Sequence, residues 1–180
     1  MNVDAPYREF RANNNLDSIW FPIQSPVFEV FPPTVAWDGQ TLTKKDSFHF
    51  TVLHVETACT LMLERRKLNR VEAEEKVTSF FNEFVKKYPI TLVSFEDDFR
   101  FAQRDEKRTI VLRCVASNLN EFFAQLNRTL GIDMPTQPTH VTLYTLQKNV
   151  GIHIPTNQVM ESLPRVSVSA LDEALRHVHI

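Results

Sequence analysis

Glycine is nearly absent from this chain: three occur in 180 residues, Gly39, Gly131 and Gly151. No two lie close enough to build a phosphate-cradling P-loop or a GxGxxG dinucleotide turn, so Walker-type ATPases and Rossmann oxidoreductases are excluded. Cysteine is equally scarce. Cys59 and Cys114 are too few for a disulfide framework or a four-thiolate zinc site, and each sits in an apolar stretch that suits a buried structural thiol. Charge of one sign is also missing, because 20 basic against 22 acidic side chains leave a net charge of −2. That balance argues against a nonspecific grip on long duplex nucleic acid. No apolar run approaches the ~20 residues of a membrane span, and Asp4, Arg8, Glu9 and Arg11 interrupt any signal-peptide core. A cytoplasmic protein without a membrane partner is the expectation.

What is present is apolar and aromatic: 43% hydrophobic residues, 14 of the 180 being Phe, enough for a sizeable core. Residues 1–35 combine Tyr7, Phe10, Trp20, Phe21, Phe28 and Phe31 with Pro22, Pro26, Pro32 and Pro33, which predicts an ordered extension wrapped on a folded body. Residues 36–180 are expected to form one bilobed domain. Asp38-Gly39 signals a turn, and Ser47 to Val55 alternates as a strand. Val77, Phe80, Phe81, Phe84, Val85 and Tyr88 recur with helical spacing between an Asn69/Glu72 cap and Pro89. A shorter helix is expected before it, near 57–67, and another from Asn118 to Gly131. Strands are expected at 89–94, 109–116, 139–145 and 165–169, with 95–107 a connection or further strand and a short helix near 156–162. Helices between strands with hairpin-like connections indicate an α+β or mixed α/β class.

Two strands carry the same pattern, His49-Phe50-Thr51-Val52 and His140-Val141-Thr142-Leu143. Period-two geometry puts His49 and Thr51 on one face of the first strand, and His140 and Thr142 on one face of the second. A core face wants neither imidazoles nor hydroxyls. Two converging imidazoles suit phosphodiester cleavage without a metal, since a histidine near its ordinary pKa of ~6.5 serves as base or acid at neutral pH. The threonine hydroxyls would donate to the non-bridging phosphate oxygens.

At these residues the chain resembles the two-histidine (2H) phosphoesterase superfamily, in the manner of RNA 2′-5′ ligases and cyclic phosphodiesterases, across roughly residues 36–170. The resemblance implies a bilobed pseudo-twofold α+β fold, with two antiparallel or mixed sheets flanking a central cleft and helices outside. It implies His49 and His140 as the catalytic pair, Thr51 and Thr142 as phosphate ligands, and no cofactor. Tyr144, two residues beyond Thr142, is a candidate for the cleft wall. The substrate implied is a small nucleotide or RNA end, most simply a 2′,3′-cyclic phosphate. Cyclic oligonucleotides, 2′-5′ linkages, or a noncatalytic RNA- or nucleotide-binding role of the same fold are the alternatives.

Other residues carry weaker signals. Lys44 and Lys45 precede the first motif, and Arg100, Arg104, Lys107 and Arg108 crowd one connection; either set could neutralise phosphate. Trp37, Phe99 and Phe101 are candidate stacking platforms. His54 falls on the face opposite His49, as a core or hydrogen-bonded residue. His177 and His179 lack the accompanying ligands of a metal site.

Overall fold

Asn69 starts the longest helix as its sequence requires: its side chain accepts from the Glu72 amide at 3.0 Å, while the Glu72 carboxylate accepts from the Asn69 amide at 2.9 Å. Those two bonds satisfy amides that a helix start otherwise leaves unpaired. The computed structural model describes residues 6–65 and 67–178. In chain order they form β1 (Arg8–Ala12), β2 (Asn15–Ile23), a 3-10 turn (Ser25–Phe28), β3 (Thr34–Trp37), β4 (Gln40–Lys44), β5 (Phe48–His54), α1 (Val55–Arg65) and α2 (Arg70–Lys87). There follow β6 (Leu92–Arg104), β7 (Lys107–Ala116), α3 (Leu119–Leu130), β8 (His140–Thr145), α4 (Asn157–Ser162) and α5 (Ser169–Leu175).

The class is α+β. Among the described residues the eight strands belong to one sheet, ordered β1-β2-β5-β8-β4-β3, with β7 also pairing β8 and β6 pairing β7. The expectation of two sheets is corrected by this connectivity. Residues 8–23 also do more than wrap the body, since they supply β1 and β2. The strand expected at 165–169 reduces to a single bridge between Arg165 and Arg100, and α5 takes up Ser169 onward. No helix of the described residues is long and apolar enough to cross a membrane.

The chain divides into two compact units. The first gathers residues up to Phe21, Thr51–Leu92 and Ala116–Gln137. Its core is aromatic: Phe122 of α3 receives Phe80, Phe81 and Phe84 of α2 with ring centroids 5.7, 5.9 and 5.2 Å away. Tyr7 is tied to the residue after Pro89, its hydroxyl donating to the Ile90 carbonyl at 3.0 Å and accepting from the Ile90 amide at 2.8 Å. Gly131 ends α3 at φ +63°, a left-handed position that costs glycine nothing. Asn118 does not cap α3 with its side chain; the amide donates instead to the Pro89 carbonyl at 2.8 Å.

The second unit comprises Pro22–Phe50, Val93–Val115 and Pro138 onward. Asp38 and Gly39, at φ +50° and +70°, form the two-residue turn of the β3–β4 hairpin, which positive φ at both positions requires. One face of this unit's sheet is covered by the proline-rich segment 24–33. There Phe28 lies 4.2 Å from Phe48 and 5.5 Å from Phe95, and Phe31 lies 6.2 Å from Phe99. The Lys44 ammonium fastens that segment by donating to the Phe28 and Phe31 carbonyls, at 3.1 and 2.6 Å. On the other face, Val111 packs with Ala102, Ile152, Ile154 and Met160.

Candidate functional site

Phe50 of β5 pairs with Val141 of β8, antiparallel. Both are fully buried, and residues directly opposite in a sheet share a face. Their neighbours therefore share the other face. The register sets His49 opposite Thr142, and places His140 on the diagonal from His49, roughly 7–8 Å away. Thr51 lies on the His49 side of β5 by alternation, at the strand position where the first unit resumes. His49, Thr51, His140 and Thr142 are all half-buried, whereas the alternating partners Phe50, Val52 and Val141 are completely buried.

Burial dominates the electrostatics here. It pushes His49 down to about 3, helped by the positive charge of Lys45 and by His140. It likewise pushes His140 down to about 4; a hydrogen bond to Pro138 opposes this, and His153 adds to it. Desolvation penalises the imidazolium, and like charges penalise it further. Both rings are therefore neutral at pH 7. His140 Nδ1 lies 2.9 Å from the Pro138 carbonyl, so in the neutral ring Nδ1 carries the proton and Nε2 keeps its lone pair.

A depressed folded-state pKa has a sign that melting can test. Between the ordinary value of ~6.5 and the folded values of about 4 and 3, the unfolded chain binds more protons than the folded one. Stability is thus fully present above pH ~6.5 and falls as the pH is lowered through that window. Thermal melts from pH 7 to 4.5 should show this decline, and His140→Gln should flatten it. An equal slope in the variant would remove His140 as its source.

Two residues that sequence reasoning passed over share this face. Arg113 sits opposite His140 on β7, and its guanidinium is held by Glu96 at 3.0 Å and by buried Asp98 at 3.3 Å. Asp98 also accepts from Arg100 at 2.6 Å and Arg165 at 3.1 Å. Burial alone would raise that carboxyl, but Arg100, Arg165 and Arg113 together hold it below the usual range. A lone arginine in the apolar run of β7 was the available signal. His153 arrives on the segment after β8, its carbonyl accepting from Arg104 at 3.1 Å. A Cβ on the neighbouring Gly151 would lie 3.6 Å from the Thr142 hydroxyl, so this segment passes directly over the second motif. The alternation Ile152-His153-Ile154 was its signal.

Tyr144 is placed differently from the expectation. In the β7–β8 register Ile110 pairs with Tyr144 and Val111 with Thr142, leaving Leu143 as an extra residue. Such a bulge breaks the alternation and puts Tyr144 on the Ile110 side. There it is fully buried, with its hydroxyl donating to the Pro32 carbonyl at 2.8 Å and its ionisation disfavoured by burial. It anchors the proline-rich segment.

Of the stacking candidates, Phe99 is buried in the core, while Trp37 and Phe101 line a cavity of about 510 Å³ with Asp38, Gln103, Leu163 and Pro164. Arg108 is spent on the carbonyls of its own turn, Asp105 at 2.6 Å and Lys107 at 2.9 Å. Cys59 and Cys114 are buried thiols; burial raises Cys59 to about 11 and Cys114 further still, so neither is a nucleophile at neutral pH. His54 is half-buried at the end of β5 and its backbone amide donates to Gln137 at 3.2 Å. His177 is exposed, and His179 lies outside the described residues. Compared with protein-family models, with curated proteins and with solved structures, the chain finds no match in any of the three.

Proposed function

We propose that this chain is a metal-independent phosphodiesterase of the two-histidine kind, opening a 2′,3′-cyclic phosphate or a related phosphodiester in a small nucleotide or RNA end. The observation that carries this reading is the Phe50–Val141 register, which centres one His-apolar-Thr triplet on the other. One neutral imidazole takes a proton from water as its oxygen attacks phosphorus. The other, protonated, gives its proton to the ribose oxygen as the P–O bond breaks. The Thr51 and Thr142 hydroxyls donate to the non-bridging oxygens, where charge accumulates. In this reading two related halves each supply one such strand.

Both rings being neutral in the unliganded protein gives the substrate a second task. The phosphodiester anion must raise one imidazole's pKa so that the acid is charged in the complex. Substrate binding should therefore take up a proton, which calorimetry in buffers of different ionisation enthalpy detects.

The deciding experiment is an assay of nucleoside 2′,3′-cyclic phosphates, 2′-5′ and 3′-5′ dinucleotides and cyclic dinucleotides with excess chelator. Turnover should persist, because base, acid and phosphate donors are all side chains. Activity lost to EDTA and restored by a divalent ion would overturn the mechanism. Tight binding without turnover of any of these would instead favour a noncatalytic nucleotide-binding module.

A further inference from the structure

Resting on that reading, we propose that Lys45 is the phosphate-binding cation of the site, held in place by a clasp between the loops flanking the two motifs. Lys45 directly follows β4, and its amide donates to the Leu143 carbonyl of β8 at 2.8 Å, one residue from Thr142. Pairing thus continues past Lys44, and alternation sends successive side chains to opposite faces. The Lys44 ammonium goes to the Phe28 and Phe31 carbonyls. The Lys45 ammonium consequently lies on the side of His49 and Thr142.

The neighbouring residues fix this position. The Asp46 amide donates to Asn149 at 3.4 Å, the Asn149 amide donates to Asp46 at 3.3 Å, and Lys148 pairs with the Asp46 carboxylate at 3.3 Å. These contacts join the loop entering the first motif strand to the loop leaving the second. Both loops lie within one compact unit.

The arginines among the other basic candidates are engaged elsewhere. Arg100 is bound to Asp98 and to the Glu161 and Leu163 carbonyls, Arg104 to the His153 carbonyl, and Arg108 to its own turn. Lys45 is half-buried, and burial lowers its pKa with no carboxylate among the causes. A partly desolvated ammonium beside neutral imidazoles and a threonine hydroxyl is a receptor for a phosphate anion. It supplies the charge that the threonines lack, and its proximity discourages protonation of His49 until an anion arrives.

The test titrates inorganic phosphate into the full chain, following the His49 and His140 ring resonances by NMR and the heat by calorimetry. Phosphate should shift both histidines in the wild type. Lys45→Met should weaken its binding about ten- to a hundredfold, as expected for one charge-assisted hydrogen bond, with Lys45→Arg restoring most of it. Lys107→Met, exposed at the start of β7, should change nothing. Should Lys45→Met fail to give a cooperative melt, Lys45→Gln replaces it. Equal phosphate affinity in wild type and the Lys45 variants would overturn this assignment while leaving the histidine site standing. Phosphate that shifts neither histidine in the wild type would overturn both.

Discussion

Replacing either His49 or His140 by alanine should lower kcat by roughly 10²–10⁴-fold, the usual loss when a positioned proton carrier is removed. On the proposed mechanism the two rings serve one proton-transfer sequence across a single pair of strands, so the double variant should be little slower than the slower single variant. Thr142→Ala and Thr51→Ala should cost less, on the order of 10–10³-fold, because both proton carriers survive. The pH profile separates this mechanism from a generic loss. The depressed pKa values of both histidines place the bell of kcat/KM, which reports the unliganded protein, on the acid side of ~6.5. The bell of kcat should lie above it, since the bound phosphate favours the imidazolium. Steady-state rates of both single variants equal to wild type, on a substrate the protein cleaves, would end the paired-histidine reading.

The second large effect concerns stability. Phe50 is completely buried and stands opposite Val141 on the core side of the sheet. Phe50→Ala therefore leaves a cavity and should cost about 3–5 kcal/mol, a large part of the ~5–15 kcal/mol that typical domains possess. Denaturant unfolding should show a lower midpoint at unchanged m, with Phe50→Leu intermediate. Chemistry should respond differently: at a temperature where the variant is folded, kcat per folded molecule falls far less than in His49→Ala. An unchanged midpoint would show that Phe50 does not carry the packing its burial implies. Loss of kcat equal to that of His49→Ala in a folded variant would show that the two faces of β5 are not functionally separate.

Local signals account for much of what was legible. The Asn69/Glu72 capping box, the Val77, Phe81 and Phe84 stripe, the Asp38-Gly39 turn and the Gly131 terminus each depend on residues within a few positions of one another, and the structure has all four. The shared parity of His49 with Thr51, and of His140 with Thr142, is equally local, because side-chain alternation is a property of the single strand. Residues 95–107 are ambiguous in sequence for the opposite reason. Glu96, Asp98, Arg100 and Arg104 look like a solvated connection until Arg113 and Arg165, distant in sequence, neutralise Asp98.

What the sequence determined by itself was therefore the longer helices, the two motif strands, and the shared side of His49 with Thr51 and of His140 with Thr142. Only the tertiary structure decided which strands are neighbours and in what register, because strand pairing is settled by burial between segments far apart in the chain. It set Phe50 against Val141 and so brought the two motifs together. It also drew residues 8–23 into the sheet as strands. The bulge at Leu143 sent Tyr144 to the core side although simple alternation kept it beside Thr142. Lys44 and Lys45 are indistinguishable as a dipeptide; one ammonium is consumed by the Phe28 and Phe31 carbonyls and the next faces the histidines, because a strand edge can turn only alternate side chains the same way.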